Sequence, residues 1–341
     1  MEALLGKTPQ ELQEIALRLG LPAFAGKQMA RWLYVRRAVS TDEMTDISKA
    51  GREKLASECI VGALEPTTTL TSSDGTEKYL FDVEATRDGA MGGIEAVMIP
   101  DGDRNTLCVS SQAGCRMGCK FCMTGRQGFH GHLTAAEILA QILYADRIHP
   151  LSNVVFMGMG EPLDNWAQVR KVIDVLTAPW GLAWSPKRIT LSTIGVLPKL
   201  KEFLDGTRCH LAVSLHNPFP AERVQLMPVE KAWSVLEVVR LLKQYDFTGQ
   251  RRVSFEYTMF AGWNDSPAHA DALLRLLRGL ECRVNLIRFH QIPDFPYTTS
   301  SEKVMTAFRD RLSEGGVTCT IRASRGEDIL AACGMLAGQK K

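Results

Sequence analysis

The sequence predicts an α/β protein in which a small helical domain precedes a parallel sheet. From Thr106 onward, short apolar runs alternate with amphipathic segments, the pattern typical of βα units. Before that point, helix caps and helical spacing of the apolar residues dominate. Of the 341 residues, 45% are hydrophobic and 23% are charged, the composition of a globular protein with a full core.

The N-terminal residues carry the sequence signals of helices. Residues 8–11 supply a threonine N-cap, a proline at the first helical position and a glutamate at the third, and Gly20 follows where this helix should end. A second helix is expected over residues 26–37, because its apolar residues have helical spacing. A third helix is expected to start near Thr41.

A polar stretch over residues 66–75 follows, and it precedes two expected strands, residues 78–83 and 94–99. We place a domain boundary in this stretch. The chain then divides into an N-terminal helical accessory domain, a β extension and a larger α/β domain: residues 1–75, 76–105 and 106–341.

The α/β domain is expected to hold six parallel strands and a seventh that follows the last helix. The strands are residues 107–110, 153–157, 188–192, 210–215, 252–257, 283–287 and 317–322, and the helices are residues 134–147, 166–176, 197–204, 234–245, 267–280 and 301–313. Six units are too few for a closed eight-fold barrel, so an open partial barrel and a doubly wound sheet both remain. In either fold, functional groups gather at the carboxyl ends of the strands.

Composition argues against a membrane or secreted protein. No uninterrupted apolar run of about 18 residues exists, and the N-terminus lacks the build of a signal peptide. Forty Lys and Arg against 38 Asp and Glu give a net charge of +2, which neither demands nor excludes a nucleic-acid partner. The nine cysteines fit reduced thiols that bind a metal in the cytoplasm better than a disulfide framework.

The strongest chemical signal is a Cx3CxxC run, Cys115, Cys119 and Cys122, just after the first parallel strand. A cubane of four irons bound by three cysteines keeps one iron open to a substrate or cofactor, whereas ferredoxin clusters take four cysteines. Two alternatives stay open. One is a zinc site completed by His130 or His132, and the other is three buried cysteines without a metal.

A second signal lies after the next strand, where Gly158, Gly160 and Glu161 form a glycine-rich turn with one carboxylate. Glycine lets the backbone approach a ligand closely, and a carboxylate can receive an ammonium group. Polar residues also end other apolar strands, as a site at a barrel mouth requires: Ser192, Ser214, His216 and His290. Each of these taken alone is equally explained as a helix cap or a solvated turn.

Together these residues resemble the radical S-adenosylmethionine (SAM) superfamily and, within it, the RlmN/Cfr group of rRNA adenine methyltransferases. The resemblance extends over nearly the whole chain and rests on residues 107–122, 158–163, 191–195, 214–216 and 325–334. The last segment contains Ala-Ala-Cys-Gly and is highly specific, because most radical enzymes of the superfamily lack such a cysteine. The fold implied is a partial (β/α)6 radical SAM barrel with an N-terminal helical domain.

The resemblance also implies a reaction. C2 of adenine has no lone pair, so ordinary methyl transfer has no nucleophile there. Cys333 would take a methyl group from one SAM to become S-methylcysteine, and a [4Fe-4S] cluster on the three clustered cysteines would cleave a second SAM to activate that methyl group. Cys108 would take the proton from the RNA adduct and release the product through a transient disulfide with Cys333. Glu95 matches the acid/base glutamate of the family.

For SAM binding, the resemblance assigns the amino group to Gly160 and Glu161. The remaining polar groups would be held by Ser192, Ser214, Leu215 and His216. His290 stands where the family has asparagine. Because histidine can still donate and accept, it is kept as an adenine or ribose contact.

The implied function is methylation of C2 of an adenine in the peptidyl-transferase centre of 23S rRNA and of the adenine 3′ of the tRNA anticodon. The alternative is the Cfr-type reaction, which methylates C8 of the same rRNA adenine and gives antibiotic resistance. Both activities use the same cysteines. The implied partners are 23S rRNA, tRNA and a flavodoxin-type or other reductase, with no membrane.

Basic residues give modest support for an RNA partner. Residues 115–134 contain no acid and five basic or histidine side chains, Arg116, Lys120, Arg126, His130 and His132. Three arginines, Arg31, Arg36 and Arg37, cluster near Trp32 and Tyr34, which suits RNA backbone contacts and base stacking. A solvated helix face explains this arginine group equally well. The target base would have to leave its stack to enter the barrel mouth.

Two hypotheses from other classes remain open. A radical enzyme of different chemistry would use the Cx3CxxC and Gly-Glu motifs without needing Cys108 or Cys333, which are otherwise best explained as buried thiols. A non-enzymatic RNA-binding protein with structural zinc would bind zinc stoichiometrically and would lack the brown colour of an iron-sulfur protein.

Overall fold

The computed structural model describes residues 1–84, 92–249 and 251–338. Three helices and a two-stranded parallel sheet form its first part: β1 (Glu2–Ala3), α1 (Pro9–Arg18), α2 (Ala25–Ala30), α3 (Lys49–Glu58) and β2 (Cys59–Ile60). The first helix is confirmed. The Thr8 hydroxyl accepts from the Glu11 N–H at 3.2 Å, and the Glu11 carboxylate accepts from the Thr8 N–H at 2.7 Å.

The second helix is confirmed as α2, which continues as one π-helical turn over Arg31–Val35. The start expected for the third helix is wrong. Thr41–Glu43 forms only a 3-10 turn, which Ser40 and Glu43 close in a capping box. The α-helix begins at Lys49, where the Ser48 hydroxyl accepts from the Gly51 N–H at 3.2 Å. The capping box of Ser40 and Glu43 is a helix-start signal a few residues before Lys49, so the sequence predicts the start of this helix too early.

The remaining elements build the α/β part. The strands are β3 (Thr68–Thr71), β4 (Glu77–Val83), β5 (Gly92–Asp101), β6 (Arg104–Cys108), β7 (Gln112–Gly114), β8 (Phe129–His132), β9 (Asn153–Phe156), β10 (Ile189–Thr193), β11 (His210–Ser214), β12 (Val253–Met259), β13 (Arg283–Arg288) and β14 (Thr318–Ile321). The helices are α4 (Met123–Arg126), α5 (Ala135–Ile148), α6 (Trp166–Thr177), α7 (Leu197–Gly206), α8 (Pro220–Leu226), α9 (Val235–Leu242), α10 (Pro267–Leu277) and α11 (Glu302–Glu314).

Ten strands form one sheet in the order β14-β13-β12-β11-β10-β9-β6-β5-β4-β3. From β6 to β14 the pairing is parallel, and the strands lie in chain order without a reversal. A doubly wound sheet reverses its strand order at a switch point, whereas crossovers of one hand and one direction keep every helix on the same face. The sheet is therefore the wall of a partial barrel, as the sequence predicts.

An antiparallel extension, β5, β4 and β3, continues the sheet beyond β6. The strands expected at residues 78–83 and 94–99 are confirmed within it. The polar stretch 66–75 contains an additional edge strand, β3, which the sequence does not reveal because all four of its residues are exposed. Among the described residues, no helix combines the length and apolar character needed to cross a bilayer.

A buried arginine of α8 is bound to the carboxyl end of β11. The Arg223 guanidinium is fully buried and contacts the Glu230 carboxylate, which is also buried. Arg223 donates in addition to the carbonyl oxygens of Leu215 and Ser214, both at 2.9 Å. These bonds fix the backbone where β11 ends.

Glu230→Gln should lower the free energy of unfolding by about 3 kcal/mol, because it leaves the Arg223 charge buried without a counter-ion. The matched control is Glu202→Gln, which removes the exposed partner of Lys199 and should cost less than about 1 kcal/mol. Urea denaturation of both variants measures the difference. Equal and small losses would contradict the structural role given to the buried pair.

Candidate active site

The carboxyl ends of the parallel strands meet around one cavity of about 290 Å³. Of the thirteen residues to which the resemblance gives a role in the site, ten line it: Cys115, Cys119, Cys122, Gly160, Glu161, Ser192, Ser214, His216, His290 and Cys333. Three others do not. Leu215 is fully buried in the core, and Cys108 and Glu95 are buried beside the cavity.

The cysteine loop is held by a small antiparallel sheet of β7 and β8, which the sequence does not predict. Cys115 follows β7 and donates its N–H to the Gly128 carbonyl at 2.7 Å, and Cys122 is the N-cap residue of α4. Burial raises the pKa of all three thiols, that of Cys119 to about 12. A metal centre would therefore have to displace their protons on binding.

The three cysteines are the soft thiol ligands that iron–sulfur clusters take. Three soft thiols line one cavity, yet among the described residues no three His, Cys, Asp or Glu side chains are arranged around a single metal position. The zinc alternative gains no support from His132, whose ring nitrogens lie 3.1 Å from the Gln112 amide and 3.2 Å from the Arg116 guanidinium. His130 is exposed and does not line the cavity.

Glu161 is a buried carboxylate without a cation. Its oxygens accept from the Thr193 hydroxyl at 2.6 Å and from the backbone N–H groups of Leu163 and Ile194 at 3.0 and 2.9 Å. Within the described residues no Lys, Arg or His forms an ion pair with it. Burial raises the pKa of Glu161 to about 7 against these hydrogen bonds. The carboxylate thus offers an uncompensated charge to a cationic ligand such as the SAM ammonium group.

Glycine is required next to Glu161. Gly160 has φ +100°, and a Cβ atom there would lie 2.5 Å from the Cβ of Gln112. The Gln112 side-chain oxygen in turn accepts from the Glu161 N–H at 2.8 Å. The close approach of the two loops therefore depends on the missing side chain.

His216 is neutral and has a defined tautomer. Its Nδ1 accepts from the Thr258 N–H at 2.9 Å, which leaves the ring proton on Nε2. Burial, with the nearby Arg223 charge, lowers its pKa to about 3. The residue also has φ +56°, a strained backbone conformation for histidine. His216 is thus a fixed neutral hydrogen-bonding group on the cavity wall.

His290, the departure from the family pattern, is also on the wall. Its Nδ1 lies 2.5 Å from a carboxylate oxygen of Glu327, and its Nε2 lies 3.3 Å from the Ser324 hydroxyl. Both ring nitrogens therefore contact the segment that follows β14.

Cys333 is exposed to the cavity, whereas Cys108 is buried at the end of β6. Burial raises the pKa of both thiols. A charge on Cys333 also raises the pKa of Cys108. The Met123 N–H, next to Cys122, donates to the carbonyl of Gly334, next to Cys333, at 2.8 Å. The structure thus brings Cys333 near both the cysteine loop and Cys108.

The Glu95 carboxylate is bound by other parts of the chain. One carboxylate oxygen is 3.0 Å from the Lys78 ammonium, and the other accepts from the N–H groups of Ala337 and Gly338 at 2.7 and 3.1 Å. The carboxylate is thus held by the end of the chain instead of opening into the cavity.

Sequence reasoning missed a polar row across three strands of the sheet. Ser214, Glu256 and Asn285 are register partners on β11, β12 and β13. Glu256 lines the cavity and accepts from the Asn285 amide at 2.8 Å, and burial raises its pKa. The available signal was a single glutamate inside the apolar run of β12.

Comparisons with known proteins identify the family of the chain. Residues 109–274 match the radical SAM superfamily, and residues 3–61 match the ribosomal RNA large subunit methyltransferase N-terminal domain. A crystal structure of a radical SAM methyltransferase from Sphaerobacter thermophilus aligns with a TM-score of 0.92 at 38% identity, covering 99% of this chain and 100% of that one.

Curated relatives cover the whole length. A probable dual-specificity RNA methyltransferase RlmN of Porphyromonas gingivalis is 56% identical over 99% of this chain and 97% of its own. That of Parabacteroides distasonis is 57% identical with the same coverage, and the dual-specificity RNA methyltransferase RlmN of Syntrophus aciditrophicus is 40% identical over 97% of this chain and 94% of its own. The chain therefore belongs to the radical SAM superfamily, whose enzymes use a [4Fe-4S] cluster and SAM, and within it to the RlmN family of RNA methyltransferases.

Proposed function

We propose that this protein methylates C2 of an adenine in the peptidyl-transferase centre of 23S rRNA and C2 of the adenine 3′ of the tRNA anticodon. One observation carries the proposal: Cys333 lies on the wall of the same cavity as the three clustered cysteines. An enzyme that transferred a methyl group directly from SAM would have no use for a second thiol beside the cluster loop. The names of the curated relatives, all dual-specificity RlmN, favour this activity over the Cfr-type C8 reaction.

The cofactors are assigned to the cavity wall. Cys115, Cys119 and Cys122 would hold the cluster as its three protein ligands. Bound there, the cluster and two SAM molecules per turnover supply first a methyl group and then a 5′-deoxyadenosyl radical. Glu161 would receive the SAM ammonium group, whose charge compensates its buried carboxylate. Gly160 would help to hold the same ammonium group. The other contacts would come from Ser192, Ser214, His216 and His290 on the cavity wall, and from Leu215, which is buried between Ser214 and His216 in the chain.

The chain's own residues would carry the methyl group and release the product. The Cys333 sulfur loses its proton, accepts the first methyl group and presents it to adenine. Cys108 then takes the C2 proton from the covalent RNA adduct and gives it up again. Its thiolate attacks the Cys333 sulfur to form a disulfide, the carbon–sulfur bond breaks, and the released CH2 carbon keeps the electron pair and takes a proton to become the methyl group. Glu95 assists proton transfer once the chain end releases its carboxylate. A flavodoxin-type or other reductase would reopen the disulfide and supply electrons.

We expect RNA to contact all three parts of the chain: the N-terminal domain (residues 1–75), the β extension (residues 76–105) and the barrel (residues 106–341). Residues 85–91, 250 and 339–341 of these ranges lie outside the described part of the chain. Base stacking on Trp32 and Tyr34 is not available, because both are buried in the core. The exposed aromatic residue of this domain is Phe24, whose exposed fraction is 62%. We assign the whole reaction to the cytoplasm, where thiols stay reduced.

The reaction product tests the proposal. Anaerobically reconstituted protein, incubated with SAM, a reductant and unmodified 23S rRNA fragment, should give 2-methyladenosine when the digested RNA is compared with standards by mass spectrometry. An unmodified tRNA should give the same nucleoside. Detection of 8-methyladenosine instead would move the enzyme to the Cfr-type reaction, and no methylated adenine despite SAM cleavage would contradict the proposed substrate.

Cys333→Ala should abolish RNA methylation, because the methyl carrier is lost, while the cluster and SAM cleavage remain. Cys282→Ala is the matched control: this thiol is partly buried and does not line the cavity, so methylation should stay at the wild-type rate. Methyladenosine and 5′-deoxyadenosine are quantified in the same reaction. Methylation by the Cys333→Ala variant would support a radical enzyme of different chemistry.

A further inference from the structure

Cys333 lies on residues 326–338, a segment that follows β14 and contains no helix or strand. We call it the carrier segment. Because the segment lacks a regular backbone ladder, the position of the Cys333 sulfur depends on the groups that anchor the segment from outside. Next to Cys333, the Met123 N–H donates to the Gly334 carbonyl at 2.8 Å, and side chains anchor the rest of the segment. These anchors are distant in sequence.

The upstream anchor is the turn between β3 and β4, residues 72–76, here called the hairpin turn. Asp74 accepts from the Gly326 N–H at 3.0 Å through one oxygen and from the Thr76 N–H at 2.9 Å through the other. Asp328 reaches in the opposite direction and accepts from the Ser72 hydroxyl at 2.5 Å and the Ser73 N–H at 3.1 Å. The two aspartates therefore join the hairpin turn and the carrier segment reciprocally.

The backbone of the anchored stretch is tightly constrained. Gly326 has φ +63°, and a Cβ atom there would lie 2.9 Å from Thr76 Cγ2 and 2.8 Å from the Ala331 Cβ. The Gly326 carbonyl accepts from the Ala331 N–H at 2.8 Å, which closes a short turn just before Cys333. Leu330 has φ +53°, a strained backbone conformation for a non-glycine residue. Lys78 donates to its carbonyl oxygen at 3.3 Å.

The Asp74 anchor persists over the pH range of the reaction. Burial acts to raise its pKa, but hydrogen-bond donors of Thr76 and Gly326 outweigh burial and hold the pKa at about 2. The carboxylate is therefore ionised near neutral pH, and its hydrogen bond to Gly326 is charge-assisted.

We propose that Asp74 and Asp328 are positioning residues for the methyl carrier, fixing Cys333 through the bond network between the hairpin turn and the carrier segment. This inference rests on the proposed role of Cys333. Neither aspartate lines the cavity, so each acts only through the segment it holds. If the anchor is loosened, the methyl group moves from its place in the cavity, and SAM cleavage continues without productive methyl transfer.

Two independent readouts test the proposal in the full-length protein. In protein without SAM or RNA, Asp74→Ala and Asp328→Ala should each increase amide hydrogen exchange in residues 326–331. In the reconstituted enzyme with 23S rRNA fragment, each should raise the 5′-deoxyadenosine formed per methyladenosine by about tenfold, since small misplacements of reacting groups have large rate effects. Iron content and the KM for SAM should remain at wild-type values.

Asp74→Asn keeps one of the two acceptor atoms and should fall between wild type and Asp74→Ala. The matched control is Asp246→Ala, which removes a carboxylate that accepts from the Thr248 N–H at 2.8 Å in an exposed turn away from the cavity. It should change neither readout. If Asp74→Ala fails to fold, Asp328→Ala supplies the same test from an exposed side chain.

Wild-type exchange and a wild-type coupling ratio in Asp328→Ala would overturn the inference. Increased amide hydrogen exchange with an unchanged ratio of 5′-deoxyadenosine to methyladenosine would also overturn the inference, because the two aspartates would then contribute to stability alone. If wild-type enzyme produced no methyladenosine, the proposed function would fall. The amide hydrogen exchange of residues 326–331 would then still show whether the two aspartates anchor the carrier segment.

Discussion

The buried carboxylate of Glu161 joins the loops on which the rest of the site depends. It accepts hydrogen bonds from Thr193 and Ile194 at the end of β10, while its own N–H donates to Gln112 on β7, beside the cysteine loop. Its folded-state pKa of about 7 lies above the ordinary 4.5, so the folded protein binds this proton more tightly than the unfolded chain. The ionised group therefore costs stability as the pH rises from 4.5 to about 7. A bound ammonium group would offset this cost, which links SAM binding to the stability of the cavity wall.

Strand order brings chemically different groups to that wall. Because β6 and β9 to β14 run parallel in chain order, each strand ends at the same rim and contributes a different residue. The cysteine loop follows β7, Glu161 follows β9, His216 follows β11, and the segment with Cys333 follows β14. The thiol that would carry the methyl group thus reaches the cysteine loop although more than half of the chain separates them in sequence. Barrel geometry, and not local sequence, makes this meeting possible.

Local signals predicted most of the fold. The capping boxes at Thr8 and Thr134 begin α1 and α5 where the sequence places helices, and the apolar runs of the parallel strands match the observed strands within a few residues. The fully exposed β3 could not be predicted, because it has no apolar face to produce an alternating pattern. The displaced third helix shows the other limit, since the residues near Thr41 carry a real capping box that closes only a short turn.

The site was less predictable where contacts are distant in sequence. The motif residues mark the cavity wall, yet Leu215, between two of them, is buried in the core. Glu95 is held by Ala337, 242 residues away, a contact that no local pattern encodes. Glu256 became interpretable only through its register with Ser214 and Asn285.

The central claim is that Cys333 carries the methyl group to adenine and that Cys108 releases the product. The most direct measurement uses Cys108→Ala, reconstituted with its cluster and incubated with SAM, a reductant and 23S rRNA fragment. We expect a covalent protein–RNA species that survives denaturation and whose nuclease and protease digest contains adenosine linked to Cys333. Free methyladenosine at the wild-type rate, or a link to any other residue, would contradict it.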